Sequence, residues 1–267
     1  MIMDLPEATR TSDEIEVGMA FPDWEIEADP AVIADKQINA GVDPAIWGDE
    51  ADPTWFAYLT ILAVRRGGFS INGSVHVTQR YEVVEPVRLG EKLLLTGRVT
   101  EVREVPKGWL FRARFEVVRP DGSVPLVCIR DSLRIDADKA SGGASVPPRK
   151  GVDPATLPEV GAIALEPAKV AAYSAEAINL IHSDPETARR FGFRAPIAAG
   201  LMGSNILMGC LRQHRRFEGL KAEISFLRPM FWDDSFRIRG EGLASGPGSI
   251  ALVRPDGKVA CSAVIDG

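Results

Sequence analysis

The sequence predicts an α+β protein made of two copies of one unit, each a long helix packed on an antiparallel sheet. Three observations predict it. The composition breaks near mid-chain, the order of helix and strand signals repeats on either side, and one five-residue string recurs at the same place in each repeat. The break lies at 138–151, where Asp-Lys-Ala-Ser-Gly-Gly-Ala-Ser-Val-Pro-Pro-Arg-Lys-Gly is rich in glycine, serine, proline and charge. Such a mixture has no face to bury and reads as a linker. We therefore divide the 267 residues into a unit at 1–137, a linker at 138–160 and a second unit at 161–267. Each unit falls near the usual domain size of about 100–150 residues, and 45% hydrophobic residues supply ample core.

In the first unit an apolar helical segment at 55–64 follows Asp52-Pro53-Thr54, a helix-start signal. A strand at 75–84 comes next, then a proline-containing turn at 85–91 and strands at 92–104 and 109–118. A last strand is expected at 124–135. In the second unit the helix falls at 201–211, followed by a strand at 222–226 and a turn at 229–234. Strands at 235–243, 248–253 and 259–265 complete it.

The string Val-Arg-Pro-Asp-Gly stands at 118–122 and again at 253–257, each time between apolar β-branched runs. Pro presets φ and Gly accepts a positive φ, so each copy is a tight-turn signal. Alone it would mean only a turn. In the same position within two ordered sets of elements, it points to duplication of one unit. A long helix against a curved meander of strands is the hotdog arrangement, so the expected fold is a double hotdog. A crevice between the two units is then the favoured ligand site.

Bulk properties remove several function classes. A net charge of −6 without a lysine-rich run argues against nucleic-acid binding through phosphates. Cys128, Cys210 and Cys261 are distant, odd in number and form no CxxC pair, which argues against a disulfide framework and a zinc site. Buried thiols in a reducing cytoplasm are the simpler reading. The first ten residues carry Asp4 and Glu7 and no apolar core, unlike a signal peptide. No apolar run approaches the ~18 residues of a membrane span. A cytoplasmic protein with no membrane partner is expected.

Only three histidines occur. His214 lies in Arg-Gln-His-Arg-Arg at a polar helix end and reads as a solvated terminus. His76 starts a strand, where a structural or substrate-lining duty is expected. His182 differs, because it sits in Tyr-Ser-Ala-Glu-Ala-Ile-Asn-Leu-Ile-His-Ser-Asp-Pro at 173–185, followed by Gly-Phe-Arg-Ala-Pro-Ile-Ala-Ala-Gly-Leu-Met at 192–202. This segment resembles the MaoC-like, R-specific enoyl-CoA hydratases, which carry Asp-x-Asn-Pro-Ile-His-x-Asp-Pro and then Gly-Phe-x-x-Pro-Ile-x-His-Gly-Leu-Met. Asn179, Ile181, His182, Asp184, Pro185, Gly192, Phe193, Pro196, Ile197, Gly200, Leu201 and Met202 match that pattern. The stretch 224–229 is similar to the family's strand and proline turn, and the first unit is similar to the degenerate hotdog of two-domain dehydratases.

The resemblance implies a lyase of fatty-acid metabolism that adds or removes water across the α,β bond of an acyl-CoA or acyl-carrier-protein thioester. It implies His182 as general base and acid, Asn179 orienting water or substrate, and the Gly200 N–H on the thioester oxygen. Those residue types suit the reaction: imidazole titrates near neutrality, and a helix N-terminus offers N–H groups to a developing enolate. Pro196, Leu201, Met202 and Arg194 are assigned to substrate binding. No cofactor or metal is expected, since the substrate itself brings coenzyme A or phosphopantetheine. The partners expected are the thioester, an acyl carrier protein, and for the protein itself either a monomer or a homodimer.

Three positions depart from the family. The catalytic Asp five residues before the His is Ala177, the motif proline is Leu180, and the second His is Ala199. Three explanations stay open for Ala177. Glu176 takes over after a backbone adjustment, or the site follows the type 2 hydroxyacyl-thioester dehydratases, whose aromatic-Ser-Ala string resembles Tyr173-Ser174-Ala175. Alternatively the chain binds thioesters without hydrating them. A hotdog thioesterase is a further alternative, although 201–210 contains no acidic residue.

Overall fold

The computed structural model describes residues 8–10, 14–71, 74–106, 108–135, 151–177 and 179–266. The first half contains β1 (Ala20–Glu27), α1 (Pro30–Asn39), α2 (Pro53–Arg66), β2 (Ser74–Val83), β3 (Lys92–Val105), β4 (Gly108–Val118) and β5 (Leu126–Ile135). The second contains β6 (Glu159–Ala164), α3 (Pro167–Tyr173), α4 (Pro185–Arg190), α5 (Gly200–Arg212), β7 (Lys221–Phe226), β8 (Ser235–Glu241), β9 (Gly248–Val253) and β10 (Val259–Ile265). The helices and strands expected in both halves are present, with ends shifted by a residue or two. β1, α1, β6, α3 and α4 were not expected. Residues 138–150 of the expected linker lie outside the described residues. Leu157, within its last part, is buried against Ala251, Val253 and Val259.

Among the described residues ten strands form one antiparallel sheet in the order β1-β3-β4-β5-β2-β7-β10-β9-β8-β6. Read outward from the centre, each half gives its post-helix strand, then its last, then the two before it, then its first. The architecture is an α+β hotdog arrangement, with α2 and α5 lying on one side of the sheet. The duplicated string makes equivalent hairpin ends. Gly122 and Gly257 take φ of 84° and 78°. In each, the arginine N–H donates to the carbonyl past the turn, at 2.9 Å for Arg119 to Ser123 and 3.0 Å for Arg254 to Lys258. The aspartate of each string accepts from the amide two residues on, Ser123 or Lys258.

The halves join where β2 pairs with β7, with Arg80 opposite Glu223 and Glu82 opposite Lys221. Arg80 Nε donates to Glu223 Oε2 at 2.7 Å, so the seam carries a cross-strand ion pair on its outer face. On the inner face the helices lock to each other and to the sheet. Asp52 caps α2 by accepting from Thr54 N at 2.8 Å, and its other oxygen accepts from Asn205 Nδ2 of α5 at 2.8 Å. Tyr81 Oη and Ser204 Oγ share a hydrogen bond of 2.8 Å between β2 and α5. One apolar cluster runs through both halves, from Phe21 and Phe56 to Leu207 and Ile265.

Asp52 has no solvent exposure, and burial pushes its carboxyl up to about 6 from the ordinary 3.8, against the lowering effect of its hydrogen bonds to Thr54 and Asn205. A carboxyl raised on folding binds more protons in the folded chain between those two values. Its contribution to stability is therefore full below pH 3.8 and is lost as pH rises through about 6. The Asp52→Asn variant keeps a capping oxygen without a charge. The stability of wild type minus variant, from urea unfolding, is expected to fall by about 2 kcal/mol between pH 4 and pH 7. A difference independent of pH would show that Asp52 does not titrate in this way.

Candidate active site

The segment between α3 and α5 is built by its own local chemistry. A short 3-10 turn covers Ala175–Ala177, and a second covers Leu180–His182. Asn179 opens the second turn, its Oδ1 accepting from Ile181 N at 3.3 Å. That leaves the Asn179 amide nitrogen as the group able to donate outward. Asp184 then caps α4 through Thr187 N at 2.9 Å and Glu186 N at 3.3 Å, with Pro185 at the first helical position. Gly192, at φ 81°, closes α4 while Phe193 N donates to Ala188 O at 3.0 Å. Asp184, Pro185 and Gly192 of the matched motif therefore shape the loop that carries His182.

His182 is half-buried, and its Nδ1 lies 2.7 Å from the carbonyl oxygen of Ile197. A carbonyl only accepts, so Nδ1 carries the hydrogen, and in the neutral ring Nε2 is the nitrogen with the free lone pair. Burial lowers the imidazole below its ordinary value, opposed in part by the Ile197 bond. The ring is thus held neutral, as a base, at neutral pH. Ile197 N donates to Ile181 O at 3.2 Å, which ties the histidine loop to the strand-like lead into α5.

Three residues past Ile197, α5 begins at Gly200. Asp29, Asp52 and Asp184 cap α1, α2 and α4, whereas Ala199 at this position offers no side-chain bond. Met202 N donates to Ala199 O at 2.9 Å, so the N–H groups of Gly200 and Leu201 are the ones left for another acceptor. A Cβ on Gly200 would sit 3.0 Å from Cδ1 of Phe226. Glycine here lets the aromatic ring close against the start of the helix.

The other expected binding residues are placed differently. Leu201 and Met202 are buried in the core, and Pro196 is buried with its carbonyl accepting from Trp232 N at 3.0 Å. Arg194 turns to Asp233 and Asp234 and lies over Phe231, its guanidinium carbon 4.1 Å from the ring centroid. Arg190 pairs with Glu186, and Arg228 donates to Val259 O at 2.6 Å. Leu180 is exposed. His214 is exposed just beyond the end of α5.

The largest feature that sequence reasoning missed crosses between the halves. Lys36 of α1 is 2% exposed. Its Nζ donates to Glu176 Oε2 at 2.5 Å and to Tyr173 O at 2.5 Å, and lies 4.2 Å from the centre of the Tyr58 ring. Tyr58 Oη, from α2, also donates to Glu176 Oε2 at 3.1 Å. The residue beside Ala177 is therefore held by two groups from the first half. Although burial opposes it, Lys36 holds Glu176 below the usual carboxylate range, and burial holds Lys36 itself below the usual amine range. A signal for α1 existed: Asp29-Pro30 has the Asp-Pro form of Asp52-Pro53 and Asp184-Pro185, and all three start helices.

No protein-family model and no curated protein matches the sequence. Solved structures do match in shape. HtdX from Mycobacterium tuberculosis superposes with a TM-score of 0.76 at 20% identity, over 92% of this chain and 99% of that one. A MaoC-like dehydratase from Phytophthora capsici gives 0.72 at 18% identity, over 96% and 98%. The fold is that of the MaoC-like dehydratases. An acyl-ACP thioesterase from Bacteroides thetaiotaomicron is more distant, at 0.56 and 12% identity over 92% and 97%. Among the described residues no helix is long and apolar enough to cross a membrane, and no group of His, Cys, Asp and Glu could hold a metal ion.

Truncating Glu176→Ala would leave the buried Lys36 ammonium without its carboxylate. The expected loss of stability is about 3 kcal/mol. The double variant Lys36→Met/Glu176→Ala is expected to recover most of it in urea unfolding. Equal losses in the single and double variants would show that the pair is not coupled.

Proposed function

We propose that the chain is a pair of fused hotdog units, 1–137 and 161–267, that hydrates or dehydrates an enoyl or 3-hydroxyacyl thioester in a site carried by the second unit. The observation that carries this reading is the pairing of a neutral histidine, Nε2 unengaged, with an uncapped helix N-terminus three residues beyond its anchoring carbonyl. The first supplies a base for water and an acid for the α carbon. The second supplies N–H donors for the thioester oxygen as it gains enolate charge. Asn179, with its amide nitrogen outward, orients the water. Gly200 admits the thioester close to the backbone, and Pro196, Leu201 and Met202 set the backbone and core behind it.

In this reading the water's second partner is not a carboxylate at position 177. Glu176 is held by Lys36 and Tyr58 and serves to fix the loop, so His182 and Asn179 handle the water. No cofactor takes part, and the substrate brings coenzyme A or the phosphopantetheine of a carrier protein. Arg194, tied to Asp233 and Asp234, shapes the rim of the site. A cytoplasmic location and a monomer or homodimer fit this reading. The second reading, a thioester-binding subunit without catalysis, is favoured by Ala177 alone. A thioesterase shares the fold but would need a carboxylate on α5, and α5 has none.

Enoyl absorbance on mixing the protein with crotonyl-CoA and longer enoyl-CoAs tests the proposal. Loss of absorbance is expected, and His182→Ala should lower kcat by at least about 100-fold with little change in KM. Because burial lowers His182, kcat is expected to stay level down to below pH 6.5 and fall only on further acidification. No absorbance change with any enoyl-CoA, alongside intact acyl-CoA binding, would favour the binding subunit. Release of free thiol would favour the thioesterase.

A further inference from the structure

The inner face of the first five strands carries a cation that the fold does not neutralise. Arg130, on β5, is 8% exposed and directly opposite Gln79 of β2. Its Nε donates to Ser132 Oγ at 3.1 Å, and its Nη1 reaches Thr60 Oγ1 of α2 at 3.5 Å. Both partners are neutral hydroxyls. Among the described residues no carboxylate stands within ion-pairing distance. The neighbouring carboxylate, Asp131, points to the opposite face and is taken by Arg112 and Thr78 at 2.7 and 2.8 Å. Glu223, also on that face, is taken by Arg80. Burying an unpaired guanidinium costs several kcal/mol, and burial holds Arg130 down to about 10 with no opposing carboxylate.

The surroundings of Arg130 are unsatisfied too. His76 faces Ser132 across the β2–β5 ladder, and its Nε2 is buried without a hydrogen-bond partner. Gln79, with no exposure, has its Oε1 unpartnered while its Nε2 donates to Arg80 O at 3.0 Å. His76 is packed on Phe226, ring centroids 4.6 Å apart. Phe226 is the ring that closes against Gly200. One aromatic ring thus separates the start of α5 from this cluster.

We propose that Arg130, with His76, Ser132 and Gln79, is an anion subsite that receives a carboxylate at the far end of a short acyl group whose thioester lies at Gly200. The preferred substrates are then monothioesters of short dicarboxylic acids rather than plain fatty acyl thioesters. The guanidinium neutralises the carboxylate, as charge-assisted hydrogen bonds from a buried arginine do best. The His76 nitrogen donates a further bond, and the Gln79 amide turns to offer its NH2 in place of its oxygen. In this proposal His76 lines the substrate, one of the two duties that its place at the start of a strand leaves open. This inference rests on the thioester reading above but not on the reaction performed there.

Equilibrium binding separates the two. Glutaryl-CoA and butyryl-CoA cannot be hydrated and differ in the terminal carboxylate, so titration calorimetry reads the subsite without catalysis. Glutaryl-CoA is expected to bind about 30-fold more tightly in the wild type, and Arg130→Met should bring that ratio near one. Arg130→Lys, which keeps the charge, should restore part of it. The wild-type ratio needs no variant to fold. Glutaryl-CoA binding no tighter than butyryl-CoA, or neither binding, would overturn the subsite. An Arg130-dependent preference without hydration of glutaconyl-CoA or crotonyl-CoA would uphold the subsite and sink the hydratase reading.

Discussion

The pairing of β2 with β7 is the contact on which the rest of the molecule depends. Each half alone would present that strand as an unpaired edge, with open N–H and C=O groups. Joining the two edges makes ten strands one sheet, and the register sets which residues share a face. Because side chains alternate, Arg80 and Glu223 meet on the outer face while Tyr81, Gln79, Ile224 and Ala222 turn inward. The same register brings Tyr81 under Ser204 of α5 and lets Asp52 of α2 accept from Asn205 of α5. A slip of one residue would break the Arg80–Glu223 pair and turn one of its charges toward the core.

Once the helices are fixed side by side, the first half can reach the loop that carries the candidate chemistry. Lys36 and Tyr58 come from α1 and α2, yet both end on Glu176, six residues before His182. The histidine itself is held from the other side by Ile197 O. The loop is therefore clamped at both ends by rigid elements, which suits a base that must hold its orientation. The first half thus fixes one end of the loop that carries the candidate site of the second half.

Much of this was legible beforehand, and for a physical reason. The helix at 55–64, the strands on either side of 118–122 and 253–257, and the loop-forming roles of Asp184 and Gly192 all arise from local periodicity, turn geometry and capping. Local rules can be read from a few adjacent residues. α1 is not marked by an apolar stripe, because its buried residues are Ile33, Lys36 and Gln37 while Ile38 is exposed, although Asp29-Pro30 marks its start. The fate of Glu176 was open, because its two partners lie more than a hundred residues away in sequence.

By itself, the sequence determined the α+β class, the repeated order of elements, the hairpin turns and the segment holding His182, since each depends on neighbours along the chain. Only the tertiary structure decided which oxygen orients the His182 ring, which cation holds Glu176, that Arg194 is spent on Asp233 and Asp234, and that Arg130 lies buried without an acid. Those outcomes depend on which faces meet when strand register and helix packing bring distant residues together. Burial and pairing are properties of that meeting, and no spacing along the chain encodes them.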